Sequence, residues 1–97
     1  MTEKEFRNTC INAVVDYFNS NVDKTDQQGI TPDDVYVVWM CKILQNNKAL
    51  LSTSVLDGMY YEITYDGDKE WFYFDSYVKE INKCIEADNN ENWYMWN

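Results

Sequence analysis

Residues 35–74 constrain the fold of this chain more than any other part of its sequence. They contain four segments rich in β-branched and aromatic residues, which are typical of strands. We interpret residues 35–44, 48–54, 59–65 and 70–74 as these strands. Because only short stretches of polar and glycine residues separate them, consecutive strands are expected to be antiparallel neighbours. The sequence therefore predicts one four-stranded antiparallel sheet.

The first predicted strand, residues 35–44, is apolar on both of its faces as far as Met40. One face carries Val35, Val37, Trp39, Cys41 and Ile43, and the other carries Tyr36, Val38, Met40, Lys42 and Leu44. Such a strand is either central in its sheet or has its second face covered by a partner. The preceding Thr31-Pro32-Asp33-Asp34 is typical of a helix start. We interpret it as a single turn that leads into the strand, because strand-forming residues follow it.

The connections between the strands are predicted at residues 45–47, 56–58 and 66–67. Asp66-Gly67 is the strongest of these signals, because both residue types tolerate a positive φ. It predicts a two-residue hairpin between the third and fourth strands.

A helix is predicted on each side of the sheet in the sequence. Residues 3–20 place a stripe of apolar side chains at helical spacing, and Thr2 is positioned to cap the N-terminus. That stripe consists of Phe6, Cys10, Ala13, Val14, Tyr17 and Phe18. Residues 75–86 are predicted to form the second helix, capped by Asp75 and with Tyr77, Val78, Ile81, Cys84 and Ile85 on its apolar side. The fold class is therefore α+β with the order α-β-β-β-β-α, in a single domain of residues 1–97 that ends in an aromatic tail, residues 88–97.

The charge of the chain limits its partners. Its 97 residues include 8 basic and 17 acidic side chains, for a formal net charge of −9. Repulsion between like charges disfavours direct binding to nucleic acid or to an anionic membrane. An acidic surface of this kind either keeps the protein soluble or competes for a basic, nucleic-acid-binding site on another protein.

The residue types present also exclude some chemistry. The chain has no histidine, which removes Ser-His-Asp and Cys-His arrangements. Its three cysteines, Cys10, Cys41 and Cys84, are too far apart in sequence for a zinc motif and are expected to be reduced and inaccessible. No cofactor or metal site is predicted. Without an apolar run long enough to span a bilayer, the protein is expected to be soluble and intracellular.

Three stretches carry a resemblance to a known family: DDVYVVW, LQNNKALLST and GMYYEITYDGDK. The chain resembles a family of small proteins of unknown function from phages and prophages of Gram-positive bacteria. The likeness covers residues 3–86 and leaves the aromatic tail outside. It implies an accessory phage protein in the cytoplasm of an infected bacterium, and it supplies no catalytic residues. By analogy with small acidic phage proteins that bind a host enzyme, the resemblance implies binding to a CRISPR or other defence nuclease or to a replication factor.

Three functions are compatible with these features. The first is a protein that binds and modulates or inhibits a host or phage protein with a basic site. The second is a small structural or assembly protein that dimerises through its sheet. The third, a metal-dependent enzyme that uses Glu62, Asp66, Asp68 and Glu70, is disfavoured because solvated turn carboxylates explain this cluster more simply. We therefore expect a protein that is not an enzyme.

The residues predicted to contact a partner lie in two places. Asp66, Asp68 and Glu70 flank the predicted hairpin, where a cluster of carboxylates could face a basic site. The tail contains Trp93, Tyr94 and Trp96, which are residue types enriched at interfaces. These aromatic residues are expected to be buried, either against the second face of the sheet near Tyr36, Val38 and Met40 or in a second subunit.

Overall fold

One helix and a meander of four antiparallel strands form the body of the molecule, in a computed structural model that describes residues 1–22, 28–87 and 93–96. The elements are α1 (Glu3–Asn21), a 3-10 turn (Pro32–Asp34), β1 (Val35–Ile43), β2 (Asn46–Thr53), β3 (Met59–Asp66), β4 (Trp71–Val78), β5 (Cys84–Ala87) and β6 (Trp93–Trp96). The first sheet has the order β1-β2-β3-β4, and β5 pairs with β6 separately. The predicted four-stranded antiparallel sheet and the N-terminal helix are confirmed.

The helix α1 begins at a reciprocal cap. The hydroxyl of Thr2 accepts a hydrogen bond from the Glu5 amide, and the Glu5 carboxylate accepts one from the Thr2 amide, both at 3.1 Å. The bond from the Thr2 backbone lowers the pKa of Glu5 below its usual range. This arrangement satisfies two amide groups that have no partner inside the helix. It confirms the predicted start of the helix.

The hydrophobic core lies between α1 and one face of the sheet. From the helix come Phe6, Cys10, Val14 and Phe18, and from β2 and β3 come Ala49, Leu51, Tyr61 and Ile63, all of them buried. Full burial of a side chain the size of leucine or phenylalanine stabilises a fold by roughly 1.5–3 kcal/mol. Asn19 fastens the end of the helix, because its side-chain amide bonds both the N–H and the C=O of Ile30, at 2.8 and 3.0 Å.

The segment before β1 is the single turn that the sequence predicts. Asp34 closes this turn, because its carboxylate accepts a hydrogen bond of 2.9 Å from the Thr31 amide, which holds the pKa of Asp34 below its usual range. The Ser54 amide donates to the Asp34 carbonyl at 2.9 Å and so ties the turn to the end of β2. The strand that follows lies at the edge of the sheet. The interpretation of β1 as a central strand is therefore wrong.

A β-bulge interrupts β1 at Val38. The register with β2 shifts by one residue between Val37 and Trp39, so the side chains beyond this point exchange faces. Met40 packs towards the core, while Trp39 is exposed. The strict alternation predicted for residues 35–44 consequently holds only as far as the bulge.

The connection between β1 and β2 is shorter and earlier than predicted. It consists of Leu44 and Gln45, while Asn46 and Asn47 belong to β2. Leu44 has a φ of 57°, a conformation that costs most residues free energy. Asn47 is buried, and its side-chain oxygen has no hydrogen-bond partner among the described atoms.

The connection between β3 and β4 is longer than the predicted two-residue hairpin. Asp66 lies opposite Trp71, so Gly67 to Glu70 form a four-residue loop. Gly67 is required by a close approach, because a Cβ atom there would lie 2.1 Å from the carbonyl oxygen of Gln45. The residue in the left-handed conformation is Glu70, with a φ of 58°, rather than the glycine.

The predicted second helix over residues 75–86 is wrong. Residues 75–78 continue β4, residues 79–83 have no regular structure, and β5 begins at Cys84. The reason is the register of the hairpin, which places residues 75–78 opposite residues 59–62 of β3. The backbone groups of β3 need hydrogen-bond partners there, and this requirement outweighs the preference of Asp75 for a helix N-terminus.

Candidate functional site

The face of the sheet that points away from α1 is the candidate site, and we call it the outer face. Residues directly opposite one another in antiparallel strands share a face, so the register assigns its members. Its large apolar side chains are Tyr36, Trp39, Ile43, Leu50, Tyr60, Trp71, Tyr73 and Tyr77. In the part of the chain that the structure describes, α1 is the only helix, and it lies on the opposite face.

The aromatic residues of the outer face are concentrated on its two edge strands. Tyr36 and Trp39 on β1 are 51% and 42% exposed, and Trp71, Tyr73 and Tyr77 on β4 are between 45% and 56% exposed. Single exposed apolar residues are ordinary, whereas several half-exposed aromatic residues gathered on one face of a sheet indicate an interaction site. The outer face therefore has the composition of a protein-binding surface.

The central strands of the outer face carry a pair of opposite charges beside Leu50 and Tyr60. Lys48 on β2 and Glu62 on β3 form an ion pair with an N–O distance of 3.3 Å. Because the lysine side chain is 45% exposed, such a pair contributes at most about 1 kcal/mol. The pair lies on β2 and β3, so both charges are placed between the aromatic residues of β1 and those of β4.

Two further lysines lie over aromatic rings at the ends of β4. The Lys69 ammonium is 5.1 Å from the ring centre of Trp71, and the Lys79 ammonium is 6.0 Å from that of Tyr60. These cation–π contacts hold two of the eight basic residues beside the outer face. The chain as a whole has a net charge of −9. Because these lysines lie beside it, the outer face is less acidic than the average of the whole surface.

Asp66, Asp68 and Glu70, predicted as partner contacts, do lie together, at the loop between β3 and β4. The Asp66 carboxylate accepts hydrogen bonds from the amides of Asp68 and Lys69, at 3.0 and 3.2 Å. The side chain of Gln45 donates to the Asp68 carboxylate. Two of the three carboxylates therefore hold the loop in place. Their contact with a partner stays a prediction, but their substitution would also disturb the fold.

Trp93, Tyr94 and Trp96 lie on β6, which pairs in antiparallel fashion with β5. Their side chains fall outside the described residues, so the prediction that they are buried stays a prediction. The contact surface expected for them needs correction, because Met40 faces the core while Tyr36 and Val38 are about half exposed on the other side.

The cysteines are only partly as predicted. Cys10 lies on α1 and is buried in the core, and this burial raises the pKa of its thiol to about 12. Cys41 and Cys84 are exposed, so the expectation of three inaccessible thiols is wrong for these two. The bulge at Val38 explains Cys41, because it turns that side chain to the outer face opposite Lys48.

The sequence contained a signal for the outer face that the interpretation missed. Trp71, Tyr73 and Tyr77 are separated by two and four residues, so they share one face of a strand. The assignment of residues 75–86 to a helix separated Tyr77 from Trp71 and Tyr73. The sequence also predicts an apolar second face of β1. In the structure α1 does not cover this face, because the helix packs on the other side of the sheet.

Other kinds of site have less support. A cavity of about 230 Å³ lies between the end of α1 and β3, lined by Tyr17, Phe18, Asn21, Val22, Asp57, Met59 and Tyr61. Within residues 1–22, 28–87 and 93–96, no group of three or more Cys, Asp or Glu side chains is arranged to hold a metal ion. Among those same residues, no helix has the length and apolar character needed to cross a membrane.

Comparison with known proteins assigns the chain to a family without assigning an activity. Neither the curated proteins nor the solved structures contain a match to it. A family model, by contrast, matches residues 7–87, which include most of α1 and all four strands of the main sheet. The chain therefore belongs to DUF6275, a family of unknown function.

Proposed function

We propose that this protein is a small acidic accessory protein of a bacteriophage, which binds a protein of the bacterial host and modulates or inhibits it in the infected cytoplasm. The observation that carries the proposal is the outer face, with half-exposed aromatic residues on both edge strands around the Lys48–Glu62 ion pair. Tyrosine and tryptophan dominate the binding energy of many interfaces. The phage setting rests on the resemblance of the sequence.

The charge of the chain indicates the kind of partner. At a net charge of −9, the protein is attracted to basic surfaces and repelled by nucleic acid. Asp66 and Asp75 share the outer face with the aromatic residues. A partner with a basic nucleic-acid-binding site, such as a defence nuclease or a replication factor, would be attracted by the net charge of the whole chain and would contact the aromatic residues of the outer face. Occupation of that site would exclude the nucleic acid.

Binding without catalysis is favoured over a metal-dependent enzyme. Glu62 is paired with Lys48, and Asp66 and Asp68 accept hydrogen bonds within the loops. These contacts account for three of the four carboxylates that a hairpin active site would use. No cofactor is part of the proposal.

The proposal can be tested by capture of host proteins on the immobilised full chain. A captured protein should bind nucleic acid, and an excess of this chain should displace that nucleic acid from it. Combining Tyr36→Ser with Trp39→Ser should weaken capture at least about tenfold, since a hot-spot side chain commonly contributes more than 1.4 kcal/mol. Leu56→Ser is the matched control, because Leu56 is fully exposed outside the outer face. Equal capture by the double variant and the control would contradict the proposal.

The electrostatic part has its own test. Association with the captured partner should slow steeply as salt is added. The substitutions Asp66→Asn, Asp68→Asn and Glu70→Gln together remove three charges while retaining the acceptor oxygens that hold the loop. The triple variant should associate more slowly and remain folded. An unchanged association rate would remove this loop from the interface.

A further inference from the structure

Among the residues that the structure describes, no strand pairs with the second edge of β4, which is therefore an open edge. The strand pairs with β3 along all eight residues, Trp71–Val78, without a register shift. It contains no proline, glycine or lysine, and its only charged residue is Asp75. Edge strands of soluble proteins usually carry such interruptions, because a regular, open edge is a template for another strand. The edge strand β1 follows this rule, since it has a bulge.

The register identifies the backbone groups that the open edge presents. The amide of Lys79 donates to the carbonyl of Gly58 at 2.8 Å, so the backbone N–H of residue 79 points to the β3 side. Orientation alternates along a strand, and the backbone groups of residues 71, 73, 75 and 77 therefore also point to β3. Those of Phe72, Phe74, Ser76 and Val78 point to the open edge. A second strand would bond to these residues.

We propose that β4 pairs in antiparallel fashion with β4 of a second copy of this chain, about a two-fold axis at Phe74, so that the two sheets become one continuous sheet. In this register, Phe72 lies opposite Ser76 of the other copy, and both have backbone groups free to bond. Two identical strands can always pair in this way, since the interface of a two-fold dimer is self-complementary. The inference goes beyond the proposed function and does not depend on it.

The side chains of β4 are complementary to themselves in this register. On the outer face, Trp71 would lie opposite Tyr77 of the second copy, and Tyr73 opposite Asp75. The first is an aromatic pair, and in the second the tyrosine hydroxyl can donate to the carboxylate; pairs of both kinds stabilise antiparallel strands. An axis at Asp75 would instead place two carboxylates opposite each other. An axis at Tyr73 or Ser76 lies further from the middle of β4, so fewer residues of the strand would be paired than with the axis at Phe74.

The ends of the strand limit the contact. Lys69 and Lys79 flank β4. In this register Lys69 of one copy would lie opposite Lys79 of the other copy. Like charges in that position oppose further pairing, and both ammonium groups are placed over rings of their own chain. The pairing therefore stops after β4 and favours a closed dimer. The outer faces of both copies would form one surface with six aromatic-bearing strands.

The first test is the oligomeric state of the full chain, measured by sedimentation velocity over a wide range of protein and salt concentrations. The dimer fraction should rise with protein concentration. It should also rise with salt, because each copy has a net charge of −9 and salt screens the repulsion. A chain that remains monomeric at the highest concentrations of protein and salt overturns the proposal.

The second test changes one charge beside the axis. Tyr73→Lys should strengthen the dimer and Tyr73→Glu should weaken it, with dissociation constants that differ roughly tenfold, since the new charge faces Asp75 of the second copy. The same two substitutions at Tyr36 are the matched control, because they change the net charge equally on the distant edge strand. Equal effects at both positions would show that net charge alone is responsible and overturn the register.

The third test reads the register directly. In a background with Cys41→Ser and Cys84→Ser, chains with Tyr73→Cys are mixed with chains that have Asp75→Cys and are then oxidised. The proposed axis places these positions opposite each other, so a disulfide-linked dimer should form in the mixture and from neither variant alone. Efficient crosslinking of the Asp75→Cys variant with itself would move the axis to residue 75 and refute the arrangement.

Discussion

Leu44 is a position where the fold stores strain that a substitution can release. It has a φ of 57° and an exposed fraction of 83%. The left-handed conformation costs most residues about 1–2 kcal/mol, whereas asparagine tolerates it well. Because the exposed leucine side chain contributes little packing, Leu44→Asn should raise the free energy of unfolding by about 1 kcal/mol. Leu44→Gly should gain less, since the flexibility of glycine in the unfolded chain costs about 0.4–1 kcal/mol.

Urea and thermal unfolding of the variants measure this difference. For a domain of this size, 1 kcal/mol corresponds to a rise of about 4–8 °C in Tm. Leu56→Asn is the control, because Leu56 is fully exposed and does not have a positive φ, so its effect should stay within about 0.5 kcal/mol. If Leu44→Asn proves no more stable than Leu56→Asn, the conformation at Leu44 stores no strain and the reasoning is refuted.

Three further outcomes are expected. In the native protein a thiol reagent should label Cys41 and Cys84, while Cys10, whose burial raises its pKa to about 12, should react only after unfolding; mass spectrometry distinguishes these sites. The lowered pKa of Asp34 means that its stabilising contribution is present above the ordinary value, about 3.9, and is lost as the pH falls through the folded value. Asp34→Asn should therefore flatten the acid limb of the stability profile, and a steeper limb would contradict this sign. Gly67→Ala should lower the free energy of unfolding by at least about 1 kcal/mol in a urea titration, because its Cβ would overlap a backbone carbonyl, and unchanged stability would show that the loop adapts.

The helix α1 and the four strands of the main sheet could be predicted because their signals are local. Apolar residues at helical spacing and the cap at Thr2 specify α1 from within the helix itself. Four β-rich segments separated by turn residues specify the meander without any knowledge of distant contacts. These features depend on residues close in sequence, which is the information that a single sequence states most directly.

The face of each side chain in β1 could not be predicted, because it depends on pairing. The bulge at Val38 arises from the register between β1 and β2, and no proline or glycine marks it in the sequence. Its consequence is large, since Trp39 and Cys41 face away from the core while Met40 faces it. A one-residue shift in register therefore moved part of the candidate site from one side of the sheet to the other.

The missed second helix shows the same dependence on pairing. Tyr77 and Val78 fit a helical stripe with Ile81 as well as they fit a strand, so spacing alone left the choice to the capping preference of Asp75. The choice is decided by β3, which begins at Met59 and needs a partner along its whole length. That requirement lies about twenty residues away in sequence, beyond the reach of local patterns.

The extension of β4 through residues 75–78 is also the common origin of both proposed interaction surfaces. It brings Tyr77 onto the outer face, and it lengthens the open edge so that Tyr73 and Asp75 can lie opposite each other across a two-fold axis. A strand ending at residue 74 would support neither feature. The two surfaces nevertheless respond to salt in opposite directions. Added salt should weaken attraction to a basic partner and strengthen association between two chains of net charge −9. Salt dependence therefore distinguishes a defect in partner binding from a defect in dimerisation, even when a single variant affects both.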